Sequence, residues 1–139
     1  MLNTTTASAR DNFQRSIRIL AGLAVAASAA VLYVAGAQPV AVGLFPAPWD
    51  KLAHLLTFAV VGVAAGLAGG MRGWRMALCC IAGALLVGGM DEVHQMFLPG
   101  RSASWYDLAA DAAGGLLGAA VLAVLHRFKY RFKHRITHR

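Results

Sequence analysis

The sequence predicts an all-α integral membrane protein, a four-transmembrane-helix bundle with its N- and C-termini cytoplasmic. Three observations lead there. Of 139 residues, 58% are hydrophobic and only 14% charged, whereas a soluble domain carries about a quarter charged residues. The apolar residues fall into four long runs, at 17–37, 52–70, 74–90 continuing to about 95, and 108–125. Basic residues then collect at alternate ends of those runs.

Each run reaches or approaches the ~20 residues that a helix needs to cross a ~30 Å hydrocarbon layer. Spanning strands would instead alternate apolar and polar side chains over ~10 residues, and these runs do not. The first run follows Arg10, Arg15 and Arg18 and ends near Ala35-Gly36-Ala37, which looks like a signal-peptidase site. Its apolar stretch of about 19 residues exceeds the ~7–15 of a removable signal, so a retained anchor is expected. The second run opens on Asp50 and Lys51. The third holds Cys79 and Cys80 side by side; neighbours on a helix point about 100° apart, so packing residues are expected there, not a disulfide or a metal site. The fourth run is followed by a basic tail. The organisation expected is a cytoplasmic segment at 1–16, a membrane domain at 17–126 and a basic cytoplasmic tail at 127–139.

Charge sets the sidedness. The formal net charge is +7, and eleven of the thirteen basic residues lie before the first run, between the second and third, or after the fourth. With an even number of spans these segments share one side, which the positive-inside rule makes cytoplasmic. Lys51 and Arg101 remain outside, together with five of the six acids: Asp50, Asp91, Glu92, Asp107 and Asp111. Trp49, Trp105 and Tyr106 there, with Trp74 opposite, suit interfacial aromatic belts. The tail's cations suit anionic inner-leaflet lipids. No nucleic-acid-binding motif accompanies them, so no nucleic-acid partner is expected.

In lipid, helices associate through close packing of small residues. Gly62, Gly66 and Gly70 repeat every four residues in the second run; Gly114, Gly115 and Gly118 serve the fourth, and Gly22, Ala26 and Ala30 the first. The same stripes could equally drive homodimerisation. Polar residues continue these faces. Asp50, His54, Phe58 and Gly62 share one face of the second helix, as do Asp107, Asp111, Gly115 and Gly118 of the fourth. On the third, Asp91, His94 and Gln95 share an arc from which Glu92 is turned about 100°. Three helices can so converge Asp50, Lys51, His54, Asp91, Glu92, Gln95, Arg101, Asp107 and Asp111 on one pocket at the outer boundary. Ionisable groups at such depth are usually paired, hydrated or functional. Arg101, Lys51 and His54 are the available partners for the acids, and Asp50 could pair with His54 one turn on.

These residues carry a resemblance. Asp50-Lys51-x-x-His54-x-x-x-Phe58, Asp91-Glu92-x-x-Gln95-x-Phe97, Pro99-Gly100-Arg101-x-x-Ser104-x-x-Asp107 and Asp111-x-x-Gly114-x-x-x-Gly118 match in order and spacing the pattern of the VanZ-like family, over roughly residues 45 to 120. The resemblance implies a small polytopic protein of the bacterial cytoplasmic (inner) membrane. Its namesake is associated with resistance to the glycopeptide antibiotic teicoplanin. Many members carry Asn where this chain has Asp111, so a role there that needs a neutral amide would require a protonated aspartate. His94 is not part of the pattern.

Three readings of the outer pocket follow. The first is binding of an anionic lipid or lipid-linked cell-wall precursor, with Arg101 offering a bidentate fork and Lys51 a point charge; five acids against two cations oppose an anion unless a divalent cation bridges. The second is a membrane-embedded, metal-assisted hydrolase or transferase using Asp91, Glu92, Asp107, Asp111 and His54. No H-E-x-x-H or G-x-S-x-G supports it, and Ser102 and Ser104 fit caps better than nucleophiles. The third is a structural clasp between helix ends, with Ser104-x-x-Asp107 as a capping box. A carrier is disfavoured, because no run is broken at the midplane.

Overall fold

The computed structural model describes the backbone of residues 2–137 and the side chains of residues 7–131. Four α-helices are found, α1 (Leu2–Gly36), α2 (Trp49–Gly69), α3 (Trp74–Gln95) and α4 (Trp105–Thr137), and no strand is present among the described residues. All four contain a stretch long and apolar enough to cross a membrane, as expected. Large apolar side chains on their outer faces, such as Leu20, Val60 and Leu86, are about two-thirds exposed. That is the surface a helix presents to lipid tails rather than to water.

The helix boundaries follow the breakers. Neither 2–16 nor 126–137 contains glycine or proline, so α1 and α4 run on beyond the apolar stretches at 17–37 and 108–125. At about 1.5 Å per residue each is roughly 50 Å long, well over the ~30 Å hydrocarbon layer. The side chains of Lys133 and Arg135, and all of Arg139, lie outside the described residues. α1 stops at Gly36, three residues before Pro39, which opens a short 3-10 turn (Pro39–Ala41). α2 is closed by Gly70 in the left-handed conformation at φ 60°, its N–H donating to the Leu67 carbonyl. Gly70 is therefore a cap beyond the helix, where the sequence pattern put it third in the α2 stripe. It packs against Arg18 of α1, whose Nε would stand 2.6 Å from a Cβ placed there. Arg18 Nε also donates to the Ala68 carbonyl at 3.2 Å.

The core lies between α2, α3 and α4. Phe58, Val61, Ala84 and Val87 form one cluster, and Met76, Cys80, Ala119 and Leu122 a second. Where α2 crosses α4 the backbones touch. A Cβ at Gly114 would stand 2.5 Å from the Leu55 carbonyl oxygen, and one at Gly118 would stand 2.7 Å from that of Ala59. Gly62 faces Gly115 across the same seam, and Gly66 lies against Cys80 and Leu122. Cys79 and Cys80 are both free thiols, Cys80 fully buried. The α1 stripe differs from the expectation. Ala26 and Ala30 are exposed and Gly22 has no atom within 4 Å of a Cβ position, because Ala21, Val25, Ala29 and Leu32 form the row turned inward. Only 6% of the α1 span is buried, against 39% for α3. α1 is a peripheral strut on a three-helix core.

Candidate functional site

The polar residues gather where α2 and α4 begin and α3 ends. Asp50, Lys51 and His54 lie in the first two turns of α2, and Asp107 and Asp111 in those of α4. Periodicity continues into the site: the row Asp50, His54, Phe58, Gly62 that faces the α4 glycines in the core delivers His54 to α4 near the start of both helices. There His54 Nδ1 lies 2.8 Å from Asp111 Oδ1. Asp111 is completely buried. Its Oδ2 has no hydrogen-bond partner and abuts α3 where a Cβ at Gly88 would collide with it. The His54 ring lies nearly parallel to Phe58 one turn on, centroids 5.9 Å apart.

Lys51 adds a second tie between α2 and α4. Its Nζ donates to Asp50 Oδ2 at 2.8 Å and also to Asp107 Oδ1. The expected Asp50–His54 pair is thus replaced by two others, since both partners find a closer charge, Asp50 on Lys51 and His54 on Asp111.

Glu92 joins this group, whereas Asp91, though buried too, lies on the arc it shares with Gln95. Met76, Cys80, Ala84, Gly88 and Glu92 repeat every four residues and are all buried, so the face of α3 turned into the core ends on Glu92. Its Oε2 accepts the Ser104 N–H at 2.6 Å. That contact also alters the expected capping box. Ser104 Oγ accepts the Asp107 N–H at 3.4 Å, but the return bond to the Ser104 N–H comes from Glu92 across the α3–α4 loop, Asp107 being held by Lys51. Asp91 sits about 100° round the helix. It accepts a 2.8 Å bond from Gln95 Nε2 and faces α1, where a Cβ at Gly36 would lie 3.7 Å from its Oδ1.

Arg101 reaches across to the loop after α1, donating from Nη1 to the Ala41 carbonyl at 2.9 Å. It forms no ion pair with the buried acids among the described residues. The bond to Ala41 ties the α1–α2 loop to the loop between α3 and α4, beside a cavity of about 480 Å³. Asp50, His54, Gln95, Arg101 and Asp107 line it together with apolar residues that include Leu32, Val40, Leu44, Phe45 and Phe58. Lys51 and Asp111 are not in the lining but bond to members of it, Lys51 to Asp50 and Asp107, and Asp111 to His54, while Glu92 bonds to the Ser104 N–H. His54, Glu92 and Asp107 each have a potential ligand atom within 4.8 Å of the others'.

A second groove, about 810 Å³, runs between α1 and α3 and is lined by Tyr33, Asp91, His94 and apolar neighbours. Tyr33 stacks on His94 with ring centroids 3.8 Å apart and planes at 18°. The sequence left both rings unassigned; Tyr33 stands one position past the inward Leu32, which was the available signal. A stacked pair contributes about 0.5–1.5 kcal/mol beyond its buried area. Tyr33→Ala is expected to lower the melting temperature in detergent modestly, and a Tyr33→Ala/His94→Ala cycle to show positive coupling.

The family model VanZ/LLP1 matches residues 3–126. The chain belongs to the VanZ/LLP1 family. The matched region takes in all of α2 and α3 and every residue of the polar cluster. No curated protein and no solved structure matches the chain.

Proposed function

We propose that this VanZ/LLP1 protein is an envelope protein of the bacterial cytoplasmic membrane that holds the polar end of an anionic lipid or lipid-linked cell-wall precursor. The polar cluster faces outward, with 1–16 and 127–139 in the cytoplasm, as the distribution of Lys and Arg favours. One observation carries the reading. The cavity lining divides into ionisable and amide groups, among them Asp50, His54, Gln95, Arg101 and Asp107, and aliphatic and aromatic groups, among them Leu32, Val40, Leu44, Phe45 and Phe58. An amphiphile at the membrane boundary has that same division. Ligand sites are mostly apolar concavities with a few convergent polar groups, and this one lies beside the α1–α2 loop rather than in the packed core.

Arg101 is the residue suited to the headgroup. A guanidinium carries five N–H donors in a fork that matches phosphate or carboxylate, and the Ala41 carbonyl takes one of them. A charge-assisted hydrogen bond contributes about 1.5–3 kcal/mol. Arg101→Ala is therefore expected to weaken binding of a polyprenyl phosphate or phosphatidylglycerol by roughly tenfold to a hundredfold. Arg101→Lys, a point charge without the fork, restores part of it. Binding is read on purified full-length chain in detergent, with the melting temperature as a control for folding. Equal affinity of wild type and Arg101→Ala for both lipids would remove this reading. The teicoplanin connection is tested separately, by the drug's inhibitory concentration against a susceptible host expressing the chain.

A further inference from the structure

We infer that His54, Glu92 and Asp107 form a site for one divalent first-row metal ion, such as Mn²⁺ or Zn²⁺, at the back of the cavity. The three residues come from α2, α3 and α4, and a potential ligand atom of each lies within 4.8 Å of those of the other two. Two donors about 2.1 Å from a tetrahedral ion are about 3.4 Å apart, so small rotations suffice to close on one.

A second observation points to a ligand independently of that spacing. Glu92 is only 6% exposed, and its Oε1 is buried without a hydrogen-bond partner. Among the described residues no cation pairs with it: Lys51 pairs with Asp50 and Asp107, and His54 with Asp111. A buried carboxylate left unpaired is unfavourable, and pairing or metal coordination is the usual remedy. His54 is also held as metal-binding histidines are, with a ring nitrogen engaged by a carboxylate behind it. Asp111, wholly buried, supplies that carboxylate.

The donor set decides the ion. One imidazole and two carboxylates suit Mn²⁺ or Zn²⁺, whereas Ca²⁺ takes six to eight oxygens. Three protein ligands leave a coordination position open, and His54 and Asp107 both line the cavity. A headgroup phosphate could take that position, which would reconcile an anionic ligand with an acidic wall; this last step alone rests on the lipid reading. Lys51 would retain Asp50, its 2.8 Å partner, when the metal takes a share of Asp107.

The test is a Mn²⁺ titration of chelator-stripped, full-length chain in lipid-free detergent, followed by the EPR signal of free Mn²⁺ and by melting temperature. One saturable ion per chain, displaced by Zn²⁺ and raising the melting temperature, is expected. Glu92→Gln, which keeps an acceptor for the Ser104 N–H, and Asp107→Asn should each weaken Mn²⁺ binding at least tenfold. Asp91→Asn, on the α1 side, should leave it unchanged. If Glu92→Gln does not fold, Asp107→Asn decides. No saturable binding by wild type, or wild-type affinity in the folded variants, overturns the site and points to a protonated Glu92 instead. Lipid binding is then measured with and without Mn²⁺. Metal binding without lipid binding would leave the site standing and remove the lipid reading, and the converse result would do the opposite.

Discussion

Gly114→Ala is expected to destabilise the protein more than any other single-methyl addition in the α2–α4 seam. The added carbon would stand 2.5 Å from the Leu55 carbonyl oxygen, 2.9 Å from the Ala59 nitrogen and 2.9 Å from the Phe58 carbonyl carbon. All three are backbone atoms of α2, so no side chain can rotate away and the two helices must separate. Overpacking of a well-packed interior costs about 1–3 kcal/mol, and this site belongs at the upper end because the obstacle is main chain. Separation would also part His54 from Asp111 and Lys51 from Asp107, which bridge the same two helices one turn further out. Gly114→Val should abolish assembly of the monodisperse protein. Gly22→Ala is the control, having open space around its Cβ position, and should melt as wild type does. Thermal melts of the three variants in one detergent check the series. A Gly114→Ala protein as stable as Gly22→Ala would show that the α2–α4 contact is looser than described.

The sequence made the inner faces of α2 and α4 readable because two different physical demands agree there. Close helix approach in lipid requires small residues, and buried polar groups require partners on the facing helix. Both repeat every four residues, so Asp50-His54-Phe58-Gly62 and Asp107-Asp111-Gly115-Gly118 each signal one face twice over. α3 was harder. Its inward row Met76-Cys80-Ala84-Gly88 is small but chemically mixed, and the outward side of the helix is nearly as apolar, as a lipid-facing surface must be. Periodicity set Asp91, His94 and Gln95 on one arc and Glu92 off it without saying which side meets the core, and Asp91 and Glu92 are in fact both buried. Counting back from Glu92 in fours picks out the core row. α1 was misread for a related reason: Gly22-Ala26-Ala30 is smoother than Ala21-Val25-Ala29, but α1 packs on side chains of the core rather than on a neighbouring backbone, so the bulkier row is the better fit. Arg101 lines the cavity, but its partner could not be read from sequence, being a main-chain carbonyl in a loop sixty residues away. Any residue type can supply a carbonyl, so no pattern announces it.

His54→Ala is expected to produce the largest loss among the polar residues. Asp111 is fully buried, its Oδ2 has no partner, and His54 Nδ1 at 2.8 Å is the partner of its Oδ1. Removing the hydrogen-bond partner of a buried carboxylate leaves it without compensation, which costs about 1–3 kcal/mol and more where the group is charged. Asp111→Asn removes the charge while keeping the size and an acceptor for the imidazole, so it should cost far less, on the order of 1 kcal/mol. The informative variant is the double one. If the damage in His54→Ala comes from an uncompensated carboxylate, adding Asp111→Asn should recover much of the lost stability, and the coupling between the two positions should reach the ~0.5–3 kcal/mol seen for residues in one network. If the damage comes instead from the empty space left beside Phe58, the amide at 111 will recover none of it and the two losses will add. Melting temperatures of the four proteins in the cycle separate these outcomes, and an additive result would mean that the helix ends are held by packing around the imidazole rather than by its bond to Asp111.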